Sequence, residues 1–300
     1  MGMPMQERYV WAGLVLMLGI GVIGWNAVTP VNQASVAPLA RPVHASFPGM
    51  VPRPPARQVS GDAALEVQIA QLVATHDPED AYAAYWLIAN CETFNREHDR
   101  MIFDEEEVTQ HRNMIPYRGM NDSEKQRDTK LCAGMSERTR VSRFDYLASA
   151  AKAGISGAVI QMAAEGPFGD RSALATRPDD PLVQEWKAKV LDQLAKEAEG
   201  GDLLTLNYLW VHALSGDELV AKNPALAYRY VVARGLIDGD VNGPQATEAT
   251  MYAPEGTLMA SMFDLSAEQR TAERAAAQRI ADNARERRRR EAKEPSRTGT

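Results

Sequence analysis

A large apolar residue, a turn residue seven positions later and a small residue four beyond that recur along this chain. Leu147, Gly154 and Ala158 form one set, Leu194, Gly201 and Thr205 a second, and Tyr228, Gly235 and Gly239 a third. Leu72, Glu79 and Ala83 keep the offsets with the glycine replaced. The spacing describes two helices meeting at a tight bend, with glycine free to take the left-handed conformation that ends a helix. Hairpins repeated in this way stack into solenoids, whose surfaces serve for binding. The expected fold is all-α: stacked helical hairpins forming a short, irregular α-solenoid.

The helix boundaries follow from local chemistry. Asp77-Pro78, Asp180-Pro181 and Asn223-Pro224 are three matching helix starts. In each, a side-chain oxygen caps the free amides, and proline fills the first helical position, where its missing N–H costs nothing. Gly154, Gly200 with Gly201, and Gly235 follow apolar-periodic runs and supply the expected stops. The spacing predicts helices near 62–76, 78–91, 136–153, 156–165, 181–199, 202–215 and 224–236. No segment reads convincingly as a strand, and VVARGLI follows helical spacing better than alternation. Ala148, Ala150, Ala151 and Ala153 leave one helix end nearly bare, so Trp186, Leu191 and Leu194 are expected to fill the facing space.

Ala150-Ala151-x-x-Gly154-x-x-x-Ala158 resembles the repeat of the Sel-one-like branch of the tetratricopeptide superfamily. Gly201 to Gly216, followed by Asn223-Pro224-Ala225-x-x-Tyr228-x-x-x-x-Ala233-x-Gly235, resembles a further unit. The 34 residues from Leu194 to Tyr228 are close to one repeat of that superfamily. The match covers about 136–238, with a degenerate unit at 62–91. It departs from the pattern where Leu147 to Leu194 stretches to 47 residues through GPFGDRSALATRPDD, and where Thr205 replaces the usual alanine. The resemblance implies protein interaction and assembly and brings no catalytic residues with it.

Residues 1–29 are expected to anchor the chain. Tyr9 to Val28 is twenty residues without a formal charge, with Trp11 and Trp25 near its ends. A helix of that length spans the roughly 30 Å hydrocarbon core of a bilayer, and tryptophan favours its interfaces. The competing reading is a cleaved signal peptide. Such peptides have shorter apolar cores and a small-x-small site close behind, whereas Ser35-Val36-Ala37 is followed by Pro38 and Val43-His44-Ala45 lies farther off. Arg8 and the terminal amine against Glu7 favour an N-terminus inside and a body outside the cytoplasm. This gives a single-pass inner-membrane protein with its body in the periplasm. Residues 30–60, with seven prolines, read as an extended tether.

Cys91 and Cys132 are the only cysteines. In an exported domain such a pair suggests one disulfide, with two buried free thiols as the alternative. Between them, 92–131 is polar, weakly periodic and reads as an insertion. It holds His98, Asp99, Glu107 and His111, and Glu107 and His111 would share a helical face. Two histidines and a carboxylate suit a transition metal. The other reading is a solvated acidic run at Glu105, Glu106 and Glu107, since no HExxH-type spacing is present. No cofactor is called for.

Net charge is −7, but 1–60 carries about +3 and 285–300 about +4, leaving an acidic body of about −14. That balance argues against nucleic acid as a partner. Residues 239–264 read as a connector. Ser266-Ala-Glu-Gln269 opens a long alanine-rich helix in the tail 265–300, which ends in Arg285-Glu-Arg-Arg-Arg-Arg290. Three readings compete for it: a solvated helix, docking onto the acidic body or an acidic partner, and binding to anionic lipid. Of the histidines, His44 falls in the tether, His76 beside a helix boundary and His212 on a largely apolar helix. Glu165 is a carboxylate without an evident acid/base partner. No nucleophile elbow or phosphate loop is present. The expected role is to bind a protein partner or organise an envelope complex. The alternative is an envelope enzyme or metal-binding protein using 92–131.

Overall fold

The computed structural model describes residues 64–103, 117–244 and 262–293. The described chain is helical: α1 Leu65–Val73, α2 Pro78–Glu97, α3 Asp122–Cys132, α4 Glu137–Lys152, α5 Ala158–Glu165, the single turn α6 Ala173–Thr176, α7 Pro181–Glu199, α8 Leu203–Ser215, α9 Pro224–Asn242 and α10 Ala267–Glu291. The three expected Asp/Asn-Pro starts are real. Asp77 accepts from the Glu79 amide, Asp180 from Leu182 and Asn223 from Leu226. Among the described residues no helix is long and apolar enough to cross a membrane. The run Tyr9–Val28 and the tether lie outside the described residues.

Helices pack in neighbouring pairs: α1 on α2, α2 on α4, α4 on α5, α7 on α8, α8 on α9 and α9 on α10. Two copies of the repeated signature build the same corner. Leu147 and Leu194 are fully buried at the ends of α4 and α7. Gly154 (φ +78°) and Gly201 (φ +75°) turn the chain in the left-handed region. Ala158 and Thr205 are buried at the starts of α5 and α8. Thr205 is tolerated because Oγ1 donates to Glu197 Oε2 at 2.8 Å, so its hydroxyl is not left unpaired.

The other two copies fail for different reasons. Gly235 and Gly239 lie inside α9, which runs on to Asn242, so neither ends a helix. Ten residues of α9 are buried, because α9 packs against both α8 and α10, and tertiary packing overrides the cost of two glycines. At the α1–α2 corner the left-handed residue is His76 (φ +55°), not Glu79, which already sits in the first turn of α2.

The insertion is shorter and more structured than its sequence suggests. α2 continues to Glu97, α3 occupies the second half, and Ile102–Phe103 (β1) pairs antiparallel with Tyr117–Arg118 (β2). Asn121 and Glu124 form a capping box at the start of α3. The C-terminal helix is no solvated rod. Ala276, Ala277, Ile280, Ala281 and Ala284 are buried, and Phe263, at the end of the connector, packs its ring edge-on against Tyr228 at 5.4 Å. Small residues allow this approach. A Cβ on Gly201 would lie 2.5 Å from Ala284 Cβ and 3.1 Å from Ile237 Cδ1. Asn283 Nδ2 donates to Glu199 O and satisfies a free carbonyl at the end of α7.

Candidate functional site

The connector that stretches the second repeat, 166–180, presents the most exposed large apolar side chain among the described residues. Phe168 is 63% exposed and sits at φ +56°, inside the turn Pro167–Gly169. Leu182, at the start of α7 and in the helix that this turn contacts, is 59% exposed. A non-glycine residue in the left-handed region costs about 1–2 kcal/mol, and leaving a phenylalanine in water forgoes about 2 kcal/mol of burial.

The surrounding chain enforces that display. Gly166 (φ +80°) ends α5 and Gly169 (φ +80°) closes the turn. A Cβ on Gly166 would lie 2.3 Å from the Arg171 backbone, and one on Gly169 would lie 2.1 Å from Phe144 Cζ. Beneath the turn, the Arg143 guanidinium lies 4.1 Å over the Phe144 ring. Arg143 is itself nearly buried and bridges Glu92 (3.0 Å) and Glu165 (3.1 Å). Tyr85 Oη donates to Glu165 Oε1 at 3.1 Å. Burial, with the Glu165 carboxylate beside it, pushes the Tyr85 hydroxyl far up, so it stays a donor. Glu165 is therefore a structural acceptor held by Arg143 and Tyr85, where the sequence had shown no partner.

Arg171 fixes the far side of the turn. It donates to Ala163 O and to Asp217 Oδ2, the latter at 3.2 Å. Asp217 also accepts from the Leu219 and Val220 amides and pairs with His212 Nδ1 at 2.8 Å. Despite its partial burial the Asp217 carboxyl is held down at about 2 by His212 and these amides. His212, on its largely apolar helix, is thus half-buried and hydrogen-bonded to Asp217, in a clamp that joins the connector to the α8–α9 loop. The Tyr208 ring lies against it at 4.1 Å, tilted by 34°.

The other candidate residues from the sequence divide. Cys91 and Cys132 are joined in a disulfide with Cα atoms 5.1 Å apart. The disulfide sits in a braced base: Asn95 Nδ2 donates to Cys132 O, and Arg100 pairs with buried Asp128 at 2.9 Å. Lys125 pairs with Asp99 and Arg118 with Glu124, each at 2.8 Å. Asp99 is consequently engaged, accepting from Lys125, the Met120 amide and the Arg100 amide, which together hold its carboxyl low. His98 ends α2 at φ +54° with its ring against Phe94. Glu107 and His111 lie outside the described residues. Among the described residues no three His, Cys, Asp or Glu side chains are grouped to hold a metal.

One carboxyl escaped the sequence reading. Glu197 is pushed up to about 7, chiefly by burial, with Asp202 adding to the rise and Thr205 and Arg287 opposing it. Only its place in a helical run was visible in the sequence. Comparison of the chain with protein-family models, with curated proteins and with solved structures finds no match in any of the three.

Proposed function

We propose that this chain is a membrane-anchored, periplasm-facing helical-hairpin protein of the Sel-one-like and tetratricopeptide kind. In this reading it binds another protein, or organises an envelope complex, through the connector at Phe168. The observation that carries the reading is the exposure of Phe168 in a left-handed conformation, between two glycines that have no room for a side chain. Strain and lost burial of about 3 kcal/mol at one residue, enforced by its surroundings, suit a side chain whose contacts are made by a partner. The disulfide supports an oxidising compartment. The apolar run Tyr9–Val28 and the proline-rich tether support a body held off the inner membrane.

The test is photo-crosslinking in cells from a reactive residue at position 168, against the same residue at exposed Lys189 on α7. A discrete adduct from 168 that is missing from 189, and that competes away when the unlabelled protein is overproduced, is the expected result. Identical patterns from both positions would refute the connector as the binding surface. A reporter fused after residue 60 tests the compartment, and activity only in the cytoplasm would overturn it.

A further inference from the structure

The C-terminal end of α10 carries charge in excess of what its fold uses. Arg285, Arg287, Arg288, Arg289, Arg290 and Lys293 crowd into about two turns. Arg285 and Arg288 share one carboxylate, Asp240 of α9, at 2.6 and 3.4 Å. Arg285 also reaches Asp282. The ion pairs of Arg287 and Arg290 within the helix are long and exposed, to Glu291 at 3.7 Å and Glu286 at 4.0 Å, and Arg287 also lies near Glu197 of α7. Arg289 and Lys293 have no ionic partner among the described residues. Arg285, Arg288 and Arg289 line an open depression of about 370 Å³ with Asp240 and Ala292. The helix dipole accounts for cations in the last turn. Arg285 stands one turn earlier and, at i,i+4, shares the face of Arg289 and the same depression.

We propose that this face of α10 docks on an anionic lipid surface, with Arg289, Arg290 and Lys293 meeting phosphodiester headgroups beside the Arg285–Asp240–Arg288 bracket. Guanidinium groups pair with phosphate oxygens in a bidentate manner, and Asp240 keeps two of them in place without cancelling the set. A bilayer suits this face because Tyr9–Val28, as a membrane anchor, brings the chain to one. The proposal rests on the reading of Tyr9–Val28 as an anchor. Each cation at an anionic surface is worth about a fivefold gain in partitioning, so the two without an ionic partner, Arg289 and Lys293, give about a 25-fold gain.

The experiment uses the full chain reconstituted in neutral phosphatidylcholine vesicles and in vesicles containing phosphatidylglycerol, with hydrogen exchange read at 285–293. Co-flotation with the neutral vesicles reports the anchor by itself; loss of flotation there refutes the anchor reading and, with it, this proposal. Given flotation, the expected result is slower exchange at 285–293 in the anionic vesicles only. That protection is reversed by 0.5 M salt and lost in Arg289→Glu/Arg290→Glu, which leaves the Asp240 pairs intact. Equal exchange in the two vesicle types overturns the proposal. Equal protection by inorganic phosphate or by a short DNA duplex in the neutral vesicles also overturns it, in favour of a free phosphate site or a nucleic-acid site.

Discussion

Gly154 and Gly201 occupy the same place in the repeated corner and have nearly the same φ, yet their surroundings differ, which makes them a controlled pair. A Cβ on Gly154 meets nothing within 4 Å, so Gly154→Ala pays only the left-handed conformation, about 1 kcal/mol. A Cβ on Gly201 would lie 2.5 Å from Ala284 Cβ, well inside contact distance. Gly201→Ala therefore carries the same conformational cost plus about 1–3 kcal/mol of overpacking, a total of about 2–4 kcal/mol. Equilibrium urea unfolding of the full chain in a mild non-ionic detergent, followed by tryptophan fluorescence, gives both numbers. Ala284→Gly opens the clashing site at about 1 kcal/mol for a glycine inside a helix. In the double variant, Gly201→Ala should lose most of its overpacking cost, a coupling of about 1–2 kcal/mol, while Ile237 Cδ1 at 3.1 Å keeps it somewhat costlier than Gly154→Ala. Equal losses for the two glycine variants, or strict additivity with Ala284→Gly, would show that the α7–α8 corner and α10 are not packed as described.

Three further outcomes are expected. Reduction of the Cys91–Cys132 disulfide, or Cys91→Ser with Cys132→Ser, should cost about 4 kcal/mol from the loop length in the chain-entropy picture; an unchanged urea midpoint would mean the base is held by its ion pairs alone. Glu197 binds its proton more tightly folded than unfolded, so its contribution is full below about 4.5 and is lost as pH rises towards about 7. Glu197→Gln should flatten that pH dependence and stabilise the protein at pH 8 by about 2 kcal/mol, allowing for its partial exposure; a variant that is no more stable at pH 8 would refute the burial penalty. Elemental analysis should find no stoichiometric transition metal in the purified protein, with or without His98→Ala, because Asp99 is taken up by Lys125 and two amides. One equivalent of metal that disappears with His98→Ala would restore the enzyme or metal-binding reading of 92–131.

The corners that local chemistry decides were legible in the sequence. Asp180-Pro181 fixes the start of α7 and Gly201 its end, because a cap, a pre-set φ and a left-handed glycine act over a few residues. What the sequence hid was decided by neighbours remote in the chain. Gly235 reads as a stop until α8 and α10 enclose it, and α3 reads as part of a polar insertion because its helix buries only Asp128 and Cys132 against the disulfide base. The site was hidden for the same reason. GPFGDRSALATRPDD marks an interruption, but the exposure of Phe168 follows from Phe144 filling the space at Gly169, with Arg143 over its ring. None of these residues stands near the turn in sequence with any spacing that would single it out.

The placement of α10 bears on where a partner can sit. A stack of helical hairpins leaves an apolar face open at each end unless a polar-faced element covers it. α9 buries ten of its nineteen residues, most of them apolar, and would expose part of that surface as such a face. α10 covers it with Ala276, Ala277, Ile280, Ala281 and Ala284, joins it through Arg229 and Glu273 at 2.6 Å and Arg285 and Asp240 at 2.6 Å, and turns its charged face outward. A partner that extended the array past α9 would first have to displace this helix, breaking the three ion pairs Arg229–Glu273, Arg285–Asp240 and Arg288–Asp240 and exposing Ile280 and Phe263, at a cost of several kcal/mol. The connector at Phe168 requires no such displacement, since its apolar side chain already stands in solvent. A partner of the kind proposed would therefore meet less resistance at the connector than at the C-terminal end of the stack.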